Sequence, residues 1–238
     1  MSKLSIVMPV LDEGEGIAAT LDALADLRAL GTEVIVVDGG SRDATIQRAR
    51  PRADRVILAP RGRALQMNAG AEKASGNVLL FLHADTRLPA DADHVLLSEL
   101  ERSGRVWGRF DVKIEGRSPL LIVVAWLMNI RSRLTGIATG DQAIFVRRAA
   151  FQAAGGFPAI PLMEDIALSQ RLKRLSRPFC IATPAVTSGR RWDYYGVLRT
   201  ILLMWRLRLA YYFGVAPARL TLAYGRVPPS PAQSGARP

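Results

Sequence analysis

The sequence predicts an α/β protein: a doubly wound, mostly parallel sheet with an added antiparallel part and a C-terminal helical segment. Three observations predict it. Across residues 4–103, short apolar runs alternate with helically spaced runs, as successive βαβ units require. Residues 106–115 then alternate apolar and polar side chains, the period of a half-buried strand of the antiparallel kind. Residues 194–213 are apolar and aromatic, with arginines interspersed.

The elements follow in order. Leu4–Val10 is an apolar run that ends in an acidic turn. Ile17, Leu21, Leu24 and Leu27 give Ile17–Leu30 the spacing of one helix. Val34–Val37 is the β-branched run expected of a buried parallel strand. The turn Asp38-Gly39-Gly40-Ser41 leads into a second helix. Val56–Leu58 reads as a third strand, Ala64–Ala74 as a helix, Val78–Leu82 as a fourth strand and Asp91–Ser103 as a helix. Further on, Ala143–Val146 reads as a strand and Glu164–Leu175 as a helix, while Pro119–Ile130 is apolar on nearly all sides. In sheets of this kind ligands bind at the carboxyl ends of the strands.

Composition narrows the function. The 238 residues are 49% hydrophobic and 22% charged, the balance of a folded domain with a real core. The net charge of +11 suggests an anionic partner: nucleic acid, phosphorylated small molecules or a membrane surface. That charge is uneven. Residues 189–238 hold eight arginines against one acid, Asp193, whereas residues 1–188 are nearly balanced. The lone cysteine, Cys180, excludes a disulfide framework and a cysteine-based zinc site. No secretory leader pattern opens the chain, and the longest uncharged apolar stretch, Ser118 to Ile130, is too short to span a bilayer. A cytoplasmic protein is expected, able to lie on the cytoplasmic face of the membrane. Three divisions are expected: a catalytic-type body at 1–188, a basic amphipathic helical segment at 189–226 and a disordered tail at 227–238.

The parallel strands end in acids: Asp12-Glu13, Asp38, and His83-Ala84-Asp85. Carboxylates converging on one sheet edge repel unless a cation or hydrogen-bond donors balance them. A single Asp in such a place is commonly a helix N-cap or turn former, and Asp43 is open to that reading. Three strand ends together favour a shared site.

These residues resemble a family. Ser5-Ile6-Val7-Met8-Pro9-Val10-Leu11-Asp12-Glu13, Val36-Val37-Asp38-Gly39-Gly40-Ser41, Phe81-Leu82-His83-Ala84-Asp85 and Met163-Glu164-Asp165 are similar, in order and spacing, to motifs of family 2 glycosyltransferases with the GT-A fold, a Rossmann-like architecture. Arg61 to Ala71, Gly140 to Val146 and Ser188 to Trp192 further resemble a small bacterial subfamily linked to arsenosugar biosynthesis and to carotenoid-acid (diaponeurosporenoate) glycosyltransferases.

The resemblance implies an inverting transfer from a nucleoside-diphosphate sugar, a UDP-sugar foremost, to a hydroxyl or carboxyl of a small or lipophilic acceptor. It implies that Pro9, Glu13 and Asp38 bind base and ribose, with Ser41 and Asp43 supporting the turn. Asp85 resembles the ligand of a divalent cation, Mg²⁺ or Mn²⁺. His83 stands where that motif commonly has its first Asp; imidazole is a poor Mg²⁺ ligand, so a hydrogen bond to the donor is expected of it. Arg61 and Arg63 are expected on phosphate, and Gln66 and Asn68 on the donor. Asp165 is the expected general base, opening a helix whose dipole favours ionised carboxylates. Asp141, Gln142 and Glu164 are expected on the acceptor side. Arg190 and Arg191 are expected to clamp the diphosphate or face lipid headgroups, and Trp192 to stack on sugar or acceptor.

Two rival classes fare worse. A nucleic-acid-binding protein needs a basic stripe with stacking aromatics on its body, and this body is nearly neutral, so no nucleic-acid partner is expected. A non-catalytic nucleotide-sugar-binding module has no need of the intact Asp85 and Glu164-Asp165. Near the C-terminus Leu198, Ile201, Leu202, Trp205, Leu209, Tyr212 and Phe213 form one helical stripe with Arg199 and Arg206 on another side. That pattern suits either peripheral membrane contact or packing on the body.

Overall fold

A computed structural model describes residues 3–225; the expected tail lies outside them. The core is an eight-stranded mixed sheet of order β3-β2-β1-β4-β7-β6-β8-β5. Strands β1 (Leu4–Val10), β2 (Glu33–Asp38), β3 (Arg55–Leu58) and β4 (Val78–Phe81) are parallel. Their helical connections are α1 (Ile17–Asp22), α2 (Ala25–Ala29), α3 (Thr45–Ala49) and α4 (Arg63–Lys73). The remaining strands, β5 (Thr86–Arg87), β6 (Trp107–Glu115), β7 (Phe145–Arg147) and β8 (Phe179–Ser188), complete the sheet.

The β-branched runs work as expected of central parallel strands. Ile6, Met8, Val34 and Val36 face one apolar cluster, with Leu21, Leu24 and Leu96. Val7, Ile35 and Val37 face the other, with Met67 and Ala71 of α4. Alternation by twos thus fills two cores at once. Helix α4 lies so close on β1 and β2 that a Cβ at Gly70 would stand 2.8 Å from Val37 Cγ2 and run into Val7. At the opposite strand ends Glu33 is buried and accepts hydrogen bonds from Ser5 Oγ (2.6 Å), Ser75 N–H (2.7 Å) and Ser75 Oγ (2.9 Å).

Three expectations are corrected. Ile17–Leu30 is two short helices, broken at a turn where the Leu24 N–H bonds Leu21 O. Strand β6 is antiparallel to β7 but parallel to β8, and Trp107–Phe110 is buried on both faces, because β7 and β8 flank it and helices cover it. Pro119–Ile130 belongs to a longer helix, α6 (Leu120–Thr135), which follows α5 (Ala92–Ser103) in the chain. One stripe of α6, Leu121, Val124 and Ala125, packs on Val112 and Ile114 of β6. Beneath it Arg109 is fully buried, donating to Ser132 Oγ (3.0 Å) and Asn129 O (3.1 Å) and paired with Asp111.

After β7 come α7 (Arg148–Ala153) and α8 (Glu164–Leu172); after β8 come α9 (Arg190–Tyr195), α10 (Val197–Tyr212) and α11 (Pro217–Tyr224). Leu207 of α10 and Leu220 of α11 are buried against Leu162 and Met163, at the start of α8. Among the described residues no helix is long and apolar enough to cross a membrane.

Candidate functional site

The carboxyl ends of β1, β2 and β4 meet along one edge, and backbone hydrogen bonds lace their loops. Asp38 is fully buried; it accepts Gly40 N–H (2.8 Å), Ser41 N–H (2.9 Å) and the Ser41 hydroxyl. The Ser41 oxygen accepts Asp12 N–H (2.9 Å). Asp43 accepts Gly14 N–H (2.8 Å), Thr45 N–H (2.9 Å) and the Thr45 hydroxyl. Asp38, Ser41 and Asp43 therefore build the loops by satisfying orphan N–H groups. Pro9 is buried inside β1, opposite Val37. Glu13 is the carboxylate left facing the edge. Burial raises its pKa, against the attraction of Arg190.

Arg190, from α9, approaches from the far end of the chain. Its Nη2 lies 3.3 Å from Glu13 Oε2 and 3.6 Å from Asp85 Oδ2. Asp85 is part-exposed beyond β4. Among the described residues no three His, Cys, Asp or Glu side chains converge as a metal cluster. The part-exposed Asp85 carboxylate is an oxygen donor of the type a hard cation takes, with Arg190 competing for it and the remaining ligands left to diphosphate and water.

His83 points elsewhere: its Nδ1 is 3.4 Å from Asp141 Oδ1, and its ring crowds the Cα of Gly140. Burial works against the imidazolium, but Asp141 outweighs it and raises the pKa. Burial likewise disfavours the Asp141 carboxylate, yet His83, Arg63 and Arg131 hold its pKa low. His83, Gly140, Glu164 and Asp165 line a small cavity, closed by Met67, Phe81, Ile144 and Phe157.

Asp165 and Glu164 open α8 after Met163, which caps the helix with a left-handed backbone, φ 70°. A methionine there is strained and is held by the packing of α10 and α11 around it. Asp165 accepts Gly140 N–H (3.0 Å) and Ile166 N–H (2.7 Å). Burial raises the pKa of both acids, and their mutual repulsion adds to it for Glu164. Arg63 Nη1 lies 3.9 Å from Glu164 Oε1. Burial opposes the Arg63 charge, but Tyr224, Glu164 and Asp141 hold it firmly protonated. Arg61 is exposed in the loop before α4.

Five of the expected contact residues make structural contacts within the chain. Gln66 is buried, and its Nε2 donates to Val10 O and Val37 O, both at 2.8 Å, clipping the ends of β1 and β2 together. Asn68 uses both ends of its amide on the backbone of Phe157, at 2.8 and 3.0 Å. Gln142 is fully buried, accepts Thr139 N–H (3.2 Å) and donates to Asn129 Oδ1 (3.3 Å), bracing the Gly140–Gln142 turn against α6. Arg191 lies over the Tyr224 ring at 3.7 Å and bonds its carbonyl, so it anchors α11. Trp192 packs with α6 and α10 instead of facing the cleft.

One residue at the site was missed. Arg131 of α6 has Nε and Nη2 buried without a hydrogen-bond partner among the described residues. Burial lowers its pKa, while Asp165 and Asp141 attract it. In the sequence it marks only the end of an apolar run, and no motif singles it out.

Comparison with known proteins agrees with this arrangement. Residues 5–150 match the family described as Glycosyl transferase family 2. A 116-residue stretch is 34% identical to the PGL/p-HBAD biosynthesis glycosyltransferase of Mycobacterium bovis (strain BCG / Pasteur 1173P2), covering 44% of this chain and 45% of the relative. The corresponding Mycobacterium tuberculosis H37Rv protein matches equally. The match spans less than half the length of these curated relatives. Among solved structures, Staphylococcus aureus TarS superposes with a TM-score of 0.64 at 18% identity, over 86% of this chain and 66% of that one. Mannosyltransferase PcManGT from Pyrobaculum calidifontis, in complex with GDP-Man and Mn²⁺, gives 0.64 at 22%, over 95% and 66%. Glucosyl-3-phosphoglycerate synthase from M. tuberculosis, in complex with Mn²⁺, UDP and glucosyl-3-phosphoglycerate, gives 0.61 at 18%, over 90% and 81%. By its matched residues the chain belongs to glycosyltransferase family 2, and its mixed sheet with crossing helices is the GT-A fold.

Proposed function

We propose that this chain transfers a sugar from a nucleoside-diphosphate donor, a UDP-sugar foremost, to an oxygen nucleophile on a small or lipophilic acceptor, with inversion. The observation that carries the reading is the placement of Asp165. A half-buried carboxylate, raised in pKa and oriented by two backbone N–H groups, lines one cavity with His83, on the β4 loop that also bears Asp85. Such a group is suited to take the acceptor O–H proton as the oxygen attacks the anomeric carbon. The opposite face of that carbon is then left to the diphosphate leaving group.

The donor lies along the strand ends. Glu13 accepts hydrogen bonds from base or ribose, on loops whose shape Asp38, Ser41 and Asp43 maintain. Arg61, Arg63 and Arg190 supply positive charge for the diphosphate. Asp85 holds Mg²⁺ or Mn²⁺, which when bound neutralises charge on the leaving diphosphate. Structural relatives of this fold are described in complex with UDP-GlcNAc and with GDP-Man and Mn²⁺, which supports the donor class. His83, paired with Asp141, lines the cavity beside Asp165. Glu164 holds Arg63 in position.

The test is turnover of a panel of UDP- and GDP-sugars with Mn²⁺ or Mg²⁺, for wild type and Asp165→Asn. The variant is expected to lose about a hundredfold or more in kcat while calorimetric donor affinity is retained. Wild-type turnover in the variant would overturn the assignment of the base. Full activity in excess chelator would overturn the role of Asp85.

A further inference from the structure

Helices α6 and α10 pack together: Leu121, Val124 and Ala125 of α6 share a buried cluster with Val197 of α10, and Met128 and Ile201 close it. Each helix turns a second apolar stripe to the outside. On α10 the stripe is Leu198, Leu202, Trp205, Leu209 and Tyr212, at spacings of four and three, and Trp205 and Tyr212 are 68% and 81% exposed. On α6, Ile122 and Trp126 are 75% and 59% exposed. Large apolar side chains exposed in stripes of this kind mark an interaction surface.

Charge identifies the partner. Neither α6, α10 nor α11 contains an acidic residue. Arg199 and Arg206 lie exposed beside the α10 stripe, and Arg117 is exposed just before α6. A second copy of this chain would bring arginine against arginine across a two-fold axis, with no acid on these helices to pair them. Anionic lipid headgroups pair with the arginines, while the indoles and leucines enter the acyl boundary.

We propose that α6 and α10 together form a docking face for an anionic lipid bilayer. The helices lie on the surface and do not cross it. The sequence offered Pro119–Ile130 as a second shallow contact or a core helix; in the structure the apolar circumference of α6 is divided between the body and the outside. The proposal does not depend on the transfer chemistry. The far side of α10, Leu207, is packed beside Met163, so docking holds the helix that braces the start of α8.

The experiment is cosedimentation of the full chain with phosphatidylcholine vesicles, alone or with about one-third phosphatidylglycerol, in parallel with tryptophan emission. Binding is expected only with the anionic vesicles, with a blue shift and a decline as salt rises. Trp126→Ser with Trp205→Ser is expected to abolish the binding, and so is Arg199→Glu with Arg206→Glu, whose carboxylates the anionic headgroups repel. Both double variants change exposed side chains, and unchanged circular dichroism and melting will confirm that they fold. Absence of binding to anionic vesicles would overturn the proposal. So would a concentration-dependent dimer, seen by analytical ultracentrifugation, that the Trp double variant dissolves, because the face would then be covered by a second copy.

Discussion

Arg190 reaches back across most of the chain to Glu13, Nη2 to Oε2 at 3.3 Å, and so joins the last part of the body to the end of its first strand. The same guanidinium nitrogen is 3.6 Å from Asp85 Oδ2. In the proposed function it pairs with the incoming diphosphate. Arg190→Gln is expected to weaken calorimetric binding of UDP or a UDP-sugar by roughly 10- to 100-fold, as for a lost charged hydrogen bond of about 1.5–3 kcal/mol. An unchanged Kd would remove Arg190 from the donor site.

If Asp165 is the base, as proposed, the acid limb of the pH profile reports it. Its pKa is raised by burial, and Asp141 adds to the rise, so kcat/KM is expected to fall on acidification through a value above the ordinary aspartate range of about 3.9. Asp141→Asn removes a neighbouring negative charge and is expected to move that limb to lower pH. A limb at the ordinary value, unmoved by the variant, would point to another base.

Two buried glutamates predict opposite pH dependences of stability. Burial works against Glu33, but the bonds from Ser5 and Ser75 and the nearby Arg55 outweigh it and lower the pKa. Its contribution is therefore present above the unfolded-state pKa and lost as pH falls through the lower folded value. Glu33→Gln is expected to cost about 1–3 kcal/mol at neutral pH, the deficit closing in acid. Glu164 is the reverse, its pKa raised by burial and by Asp165. Its stabilisation is complete below the unfolded pKa and disappears as pH rises through the higher folded one. Glu164→Gln is expected to raise the melting temperature at neutral pH and to lose that gain below about pH 4. Melting curves across pH 3–8, roughly the range over which carboxylates titrate, decide both.

Gly70→Ala tests the contact of α4 with the sheet. Helix propensity alone favours alanine by about 1 kcal/mol. The added Cβ, however, meets Val7 and Val37, and overpacking of this kind costs about 1–3 kcal/mol. Net destabilisation in urea unfolding is expected; a stabilised variant would show that the interface yields.

Gly140→Ala tests the site in the same manner. A Cβ there enters the His83 ring, disturbing both the His83–Asp141 pair and the N–H that orients Asp165. A loss of kcat of about tenfold or more is expected, as for a misplaced catalytic group, with a smaller change in donor affinity. Equal loss in both would mean that the substitution disturbs the whole cleft.

Much of the fold was legible because β1, β2 and β4 are buried on both faces and their residues say so. Strands β5 and β8 were not legible. β8 runs Phe179–Ser188 through Pro184 and two threonines, and it pairs with β6 across an irregularity between Phe110 and Asp111. It is specified by its neighbours and not by its own hydrophobic period. At the candidate site the sequence named the acidic strand ends and the Glu164-Asp165 pair, and the structure sets Glu13 and Asp85 around Arg190 and lines one cavity with His83, Glu164 and Asp165. The structural contacts of Gln66, Asn68 and Gln142 were not legible for one reason: a polar side chain beside a ligand cleft and one that ties down loop backbone have the same composition. Only the partners, Val10 O, Phe157 O and Asn129 Oδ1, tell them apart.

The packing of α10 and α11 against Met163 has a consequence in time. The last strand of the sheet ends at Ser188, so every strand is available for pairing before α10 and α11 have left the ribosome. Until they arrive, the left-handed turn at Met163 lacks the leucines that brace it. The nascent chain can thus complete its sheet before its cleft is assembled, and the segments that assemble the cleft emerge together with the helix that carries the outward-facing tryptophan.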